Sequence, residues 1–164
     1  MSYETRPDAA VSKAAEILGR RAMSRGELVE KLLNYGFSED EASRAADRME
    51  ELSAVDDFEY ARTCAGYYIA RGMGKRRIRE ELRRRKIPPE IIDGVLDDLP
   101  GPDGSIEEYI RRKLKDPSDK AEKRRVVNAL LRRGFDYEDI NRVIRRFISE
   151  DYYGYTKNKK REYH

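Results

Sequence analysis

GKRRIREELRRRKIPPEIIDGVLDDL, residues 74–99, decides the fold, because two other stretches repeat its apolar spacing. SRGELVEKLLNYGFSEDEASRAADRM (24–49) and KRRVVNALLRRGFDYEDINRVIRRF (123–147) align with it at a period of about fifty residues. Ile78 then coincides with Leu28 and Val126, Leu82 with Leu32 and Leu130, and Ile87 with Phe37 and Phe135. Ile92 follows with Ala42 and Ile140, Val95 with Ala45 and Val143, and Leu99 with Met49 and Phe147. Spacings of three and four residues are those of one helix face. A fixed long period means one supersecondary unit stacked several times, which offers extended surface rather than a deep pocket. The expected partner is therefore large.

Working outward, the helix starts are marked by Ser24-x-x-Glu27, Ser38-x-x-Glu41, Asp56-x-x-Glu59 and Ser105-x-x-Glu108, which read as capping boxes or variants. Pro88-Pro89 can only open a helix, and Asp136 and Asp139 put negative charge at the start of the last one. Gly36 and Gly134 share one repeat position and suit a left-handed helix stop. A further helix precedes each aligned pair, with stripes Val11-Ala14-Ala15-Leu18, Phe58-Ala61-Cys64-Ala65-Tyr68 and Ile106-Tyr109-Ile110-Leu114. The pattern predicts nine helices, near 8–20, 25–35, 39–52, 57–71, 75–86, 89–98, 105–115, 120–133 and 137–148. No alternating β-branched run signals a strand. The expected fold is all-α: three tandem three-helix repeats, 1–54, 55–100 and 105–151, forming an elongated, curved array. A basic, tyrosine-rich tail, 152–164, follows.

Hydrophobic residues make up 38% of the 164 and charged residues 41%, so thin helices with solvated outer faces are expected. No stretch reaches the ~18 apolar residues of a membrane span, and the N-terminus has no signal-peptide pattern. With the single Cys64, these features point to a reduced, cytoplasmic protein away from membranes. The net charge of +3 hides a gradient. Residues 1–55 carry 8 basic and 11 acidic groups, 56–104 carry 10 of each, and 105–164 carry 17 basic and 11 acidic. A chain acidic at one end and basic at the other can attract nucleic acid with one end and meet a different surface with the other.

Candidate chemistry is sparse. The lone histidine is the terminal His164, which with one cysteine assembles no soft-metal site. Gly72-Met73-Gly74-Lys75 is too short for a phosphate-binding Walker loop. Asp56-Asp57 and Asp97-Asp98 read as a helix start and an exposed turn rather than metal ligands. Cys64 shares a face with Ala61, Ala65 and Tyr68 and reads as a buried structural thiol. Neither a catalytic role nor a cofactor is expected.

The basic residues carry the functional signal. Eight of the thirteen residues 74–86 are Lys or Arg, and Arg76, Arg79 and Arg83 fall together opposite Ile78 and Leu82. Arg71 and Lys75 flank them, and the last repeat contributes Lys123, Arg124, Arg125, Arg132, Arg133, Arg142, Arg145 and Arg146. Guanidinium forks suit phosphate and carboxylate partners. The tail interleaves Tyr152, Tyr153, Tyr155 and Tyr163 with lysines, a composition able to stack on bases or simply to solubilise a terminus.

AVDDFEYARTCAGYYIARGMGKRRIREELRRRKI, residues 54–87, resembles the middle of the RecX family, bacterial regulators of the RecA recombinase. The residues that carry the resemblance are Asp56-Asp57, Tyr60-Ala61, Arg71-Gly72, Arg77-Ile78, Glu81-Leu82 and Lys86-Ile87. The likeness extends in pattern through Asp151. Two departures stand out: Lys86 holds a turn position that is often glycine, and the tail lies outside the family pattern. The resemblance implies a monomer that lies along the RecA–DNA filament, touches single- or double-stranded DNA weakly and without sequence preference, and inhibits ATPase, strand-exchange and co-protease activities in DNA repair and the SOS response. The alternative is a stand-alone DNA-binding protein of helix-turn-helix type. Against it, the helix following the most basic one carries Glu90, Asp93, Asp97 and Asp98.

Overall fold

A computed structural model describes the backbone of residues 6–162 and the side chains of residues 9–150. Among these residues there are nine helices and no strand: α1 (Arg6–Arg20), α2 (Arg25–Asn34), α3 (Glu39–Glu51), α4 (Asp57–Ala70), α5 (Lys75–Arg84), α6 (Pro89–Asp97), α7 (Asp103–Lys113), α8 (Lys120–Arg132) and α9 (Tyr137–Glu162). Most helix starts are made by the expected residues. Ser24 and Ser38 each close a full capping box with Glu27 and Glu41. Asp56 Oδ1 accepts from Glu59 N at 3.1 Å, and Pro88-Pro89 opens α6.

Two helices differ from expectation. Ser105 is not a cap, because α7 begins at Asp103 behind Pro102. The ring of Pro102 holds φ at −75°, close to the helical value, so the helix starts without a side-chain cap. α9 runs to Glu162 rather than stopping near 148. No proline interrupts 148–162, and the single Gly154 costs a helix only ~1 kcal/mol. The side chains of the tail 152–164, and His164 altogether, lie outside the described residues.

The aligned apolar positions form the core. Leu28, Ile78 and Val126 are buried, as are Leu32, Leu82 and Leu130, then Ala42, Ile92 and Ile140, then Ala45, Val95 and Val143. α1 buries Ala10, Ala14 and Ile17, whereas Ala15 faces outward. Met23, Met49 and Val55 complete that cluster. In the last repeat Ile106, Ile110, Leu114, Phe135 and Ile144 do the same. In α4 Ala61, Ala65 and Tyr68 are buried, but Phe58 is exposed and Cys64 only half-buried.

Residue contacts divide the chain into two compact units. One is Met1–Tyr67 with Arg79–Leu99; the other is Tyr68–Ile78 with Pro100–His164. Within each, the second helix of one repeat docks its N-terminus on the turn after the second helix of the next. In the first unit, Ser24 Oγ donates to Arg85 O, and Gly26 lies against Lys86. In the second, Gly74 N donates to Arg133 O at 2.7 Å and Arg76 N to Gly134 O at 3.3 Å. Ser24 aligns with Gly74 and Arg85 with Arg133, so one junction is made twice with different side chains.

Candidate functional site

The docking of Gly74 and Arg76 on residues 133–134 gathers cations in the second unit. An open notch of about 710 Å³ is lined by Arg71, Met73, Arg77, Tyr109, Ala129, Arg132 and Arg133. A smaller hollow of about 90 Å³ adjoins it, sharing Arg71, Tyr109 and Arg133 and adding Arg112, Ser105 and Glu108. Gly72 turns the chain here with φ +78°, and a Cβ on it would meet the Arg133 guanidinium at 2.8 Å.

Tyr109 stands at the centre. Arg133 sits over its ring at 4.8 Å and Arg112 at 5.8 Å. Such contacts hold a guanidinium without cancelling its charge. Arg133 Nη1 also donates to Arg71 O at 3.2 Å, and Arg77 Nη1 to Arg132 O at 3.5 Å. The Arg71 carbonyl positions the Arg133 fork while leaving it cationic. Among the described residues no carboxylate pairs with Arg112, Arg132 or Arg133.

The other predicted basic residues separate into two groups. Arg76 is spent on the junction: Nη2 donates to Leu131 O at 2.9 Å, and Nη1 pairs with Asp136 at 3.7 Å. Arg79 pairs with Asp93. Arg142 reaches Asp103 at 2.6 Å and Asp139 at 3.0 Å, and Arg146 reaches Asp103 at 3.5 Å. Lys75, Arg83, Arg124, Arg125 and Arg145 are exposed and Lys123 half-exposed. Sequence reasoning placed Arg71, Arg132 and Arg133 among the cations but not Arg77 or Arg112. It took Tyr109 for a stripe residue, and Tyr109 does pack against the core of the last repeat while its ring also meets Arg112 and Arg133.

Elsewhere the polar groups are structural. Asp57 accepts from Arg25 N at 2.8 Å, and burial raises its carboxyl above the usual range. Arg85 Nη1 donates to Tyr60 Oη at 2.6 Å, and burial, aided by a hydrogen bond to Glu27, pushes the Tyr60 phenol up to about 12. Burial also raises the Cys64 thiol, which keeps it protonated and poorly nucleophilic. Among the described residues no group of three His, Cys, Asp or Glu could hold a metal ion, and no helix is long and apolar enough to cross a membrane.

The class these features define is an all-α protein of three tandem three-helix domains. Models of the RecX first, second and third three-helix domains match residues 10–49, 56–96 and 106–144 respectively. The regulatory protein RecX of Chromobacterium violaceum is 34% identical, over 87% of this chain and 93% of its own length. That of Chlorobaculum tepidum is 28% identical, over 90% and 94%. The crystal structure of RecX from Lactobacillus salivarius superposes with a TM-score of 0.75 at 20% identity, covering 87% of this chain and 97% of that one, which establishes likeness of fold. This chain belongs to the RecX family of regulatory proteins.

Proposed function

We propose that this protein regulates the RecA recombinase, binding as a monomer along the RecA–DNA filament in the cytoplasm and inhibiting its ATPase, strand-exchange and co-protease activities. Membership of all three domains in the RecX family is the observation that carries this reading. Charge supports it. The basic surfaces of the second and third domains meet DNA phosphate or acidic filament surface, and the acidic first domain meets basic protein surface. Arg76, Arg79, Arg142 and Arg146 have internal carboxylate partners, so the working cations are Lys75, Arg83, Lys123, Arg124, Arg125 and Arg145 together with Arg132 and Arg133.

RecA ATPase on single-stranded DNA, measured against increasing amounts of the protein, tests the reading. Inhibition is expected at substoichiometric to equimolar ratios. The triple variant Arg83→Glu, Arg124→Glu, Arg125→Glu, whose circular dichroism stays helical, requires at least tenfold more protein for the same inhibition. An ATPase unmoved by the wild-type chain at every ratio overturns the proposal. Tight, sequence-specific duplex binding without RecA favours the helix-turn-helix alternative.

A further inference from the structure

We infer that the notch around Tyr109 is a phosphate-oxygen site that takes the backbone of a single nucleic-acid strand. It deepens the proposed function by naming a ligand for one part of the basic surface, and it stands on the geometry of the second unit alone. Three observations carry it.

The first is charge without compensation. Arg112 and Arg133 sit over one aromatic ring and Arg132 lines the notch beside it, none of them with a carboxylate partner among the described residues, while elsewhere in the chain Arg25, Arg48, Arg62, Arg79, Arg84 and Arg142 each have one. Neighbouring cations repel, and an anion is the partner that relieves them. Among the described residues that line the two hollows, the one acidic group is Glu108, in the smaller hollow.

The second is preorganisation. Arg133 is clamped between the Tyr109 ring and the Arg71 carbonyl, and Arg77 is held by the Arg132 carbonyl. A guanidinium fixed in advance loses little freedom on binding, so its fork is available for bidentate contact with phosphate oxygens. The groups that clamp Arg133 are neutral, so they orient its fork without neutralising it.

The third is shape. The notch has the volume of an ordinary ligand site but is open rather than enclosed, with Met73, Ala129 and the Tyr109 ring as the apolar part of its lining. A strand can pass through an open notch and rest a base on apolar or guanidinium surface, as strand-binding proteins commonly do. A closed pocket would instead favour a free nucleotide.

The test uses the full-length protein without RecA, with circular dichroism to confirm folding. A fluorescein-labelled oligothymidylate is titrated by anisotropy at several salt concentrations, with unlabelled ATP and inorganic pyrophosphate as competitors. The exposed pair Arg112→Glu, Arg132→Glu is expected to weaken oligonucleotide binding at least tenfold. The pair Arg112→Lys, Arg132→Lys retains most of it, because charge survives the loss of the fork. The charge reversal also lowers the slope of log affinity against log salt by about 1.4, at ~0.7 per phosphate for single strands. Unchanged affinity and slope in the charge-reversal variant overturns the inference. Displacement of the oligonucleotide by ATP or pyrophosphate at concentrations below those needed for competing strand also overturns it, because the site would then belong to a free polyphosphate. The outcome separates from the proposed function. Lost oligonucleotide binding with intact inhibition of RecA keeps the notch and assigns inhibition to protein contacts. Oligonucleotide binding with no effect on RecA keeps the notch and removes the regulatory reading.

Discussion

The two repeat junctions solve one steric problem with their glycines placed differently. At both, a helix N-terminus meets a helix-ending turn closely enough that one partner must lack a side chain. At the first, the helix supplies the glycine: a Cβ on Gly26 would lie 2.6 Å from Lys86 Cβ and 2.9 Å from Lys86 O. The turn can then carry a lysine, held at φ +59° and paired with Glu30 at 3.2 Å. At the second, the turn supplies a glycine in addition to one at the helix start, where a Cβ on Gly74 would lie 2.5 Å from Gly134 C and from Gly134 O. Gly134 has φ +95°, and a Cβ there would lie 2.5 Å from Arg77 Cβ and closer still to Arg77 N. The polar groups follow suit. The first junction is closed by side chains, through the fully buried Ser24 and the Tyr60–Arg85 hydrogen bond, whereas the second adds two backbone bonds, from Gly74 N and Arg76 N, to those of its arginine side chains. Lys86, which stands where the sister repeats have Gly36 and Gly134, is thus tolerated because its contact partner is Gly26.

Gly134→Ala is the harshest way to break this symmetry. The left-handed backbone costs an ordinary residue ~1–2 kcal/mol, and the overlap with Arg77 backbone adds ~1–3 kcal/mol. A loss of about 3 kcal/mol in urea-unfolding stability is expected, with weakened strand binding because Arg133 and Arg77 move apart. A loss below ~1 kcal/mol in the same measurement would show that the junction yields easily.

Gly26→Ala tests the other solution. Alanine favours the helix by up to ~1 kcal/mol, while the overlap with Lys86 costs ~1–3 kcal/mol, so a net loss of about 1 kcal/mol is expected. Lys86→Gly alone should be near neutral, because relief of the left-handed lysine is offset by a more flexible unfolded chain. Combined, the two changes are expected to recover stability, since they move the glycine from helix to turn as in the second junction. Simple additivity in this double-mutant cycle would contradict the exchange of roles.

The smallest effect concerns pH. With the Tyr60 phenol raised to about 12 in the folded protein, the unfolded chain loses this proton first as pH climbs past the ordinary value near 10. The stability contributed by Tyr60 is therefore fully present below pH 10 and declines between about 10 and 12. Chemical denaturation across that window should show a shallower decline in Tyr60→Phe. Identical slopes would mean that Tyr60 does not couple the first junction to pH.

Helices were legible in the sequence because their signals are local. Apolar residues at one face, serine and aspartate caps, and Pro88-Pro89 each act within a turn or two. Even the left-handed stops at Gly36 and Gly134 could be read, and both have φ +95°. The errors were local as well: Pro102 replaced Ser105 in setting the start of α7, and the tail contained nothing strong enough to stop α9. Site residues were legible only in part. Arg71, Arg132 and Arg133 stood out as cations, but so did Arg76, Arg79 and Arg142, which fold back onto Asp136, Asp93 and Asp103.

By itself, then, the sequence determined an all-α chain of three repeated helical triplets with basic later repeats, because periodicity, caps and charge are properties of neighbouring residues. Which arginines are neutralised, that Arg133 is clamped with its charge intact, and that Tyr109 meets arginines as well as the core were decided by tertiary structure. Those outcomes depend on the docking of Gly74 on the turn at Arg133, a contact between residues 59 positions apart that appears in no local pattern.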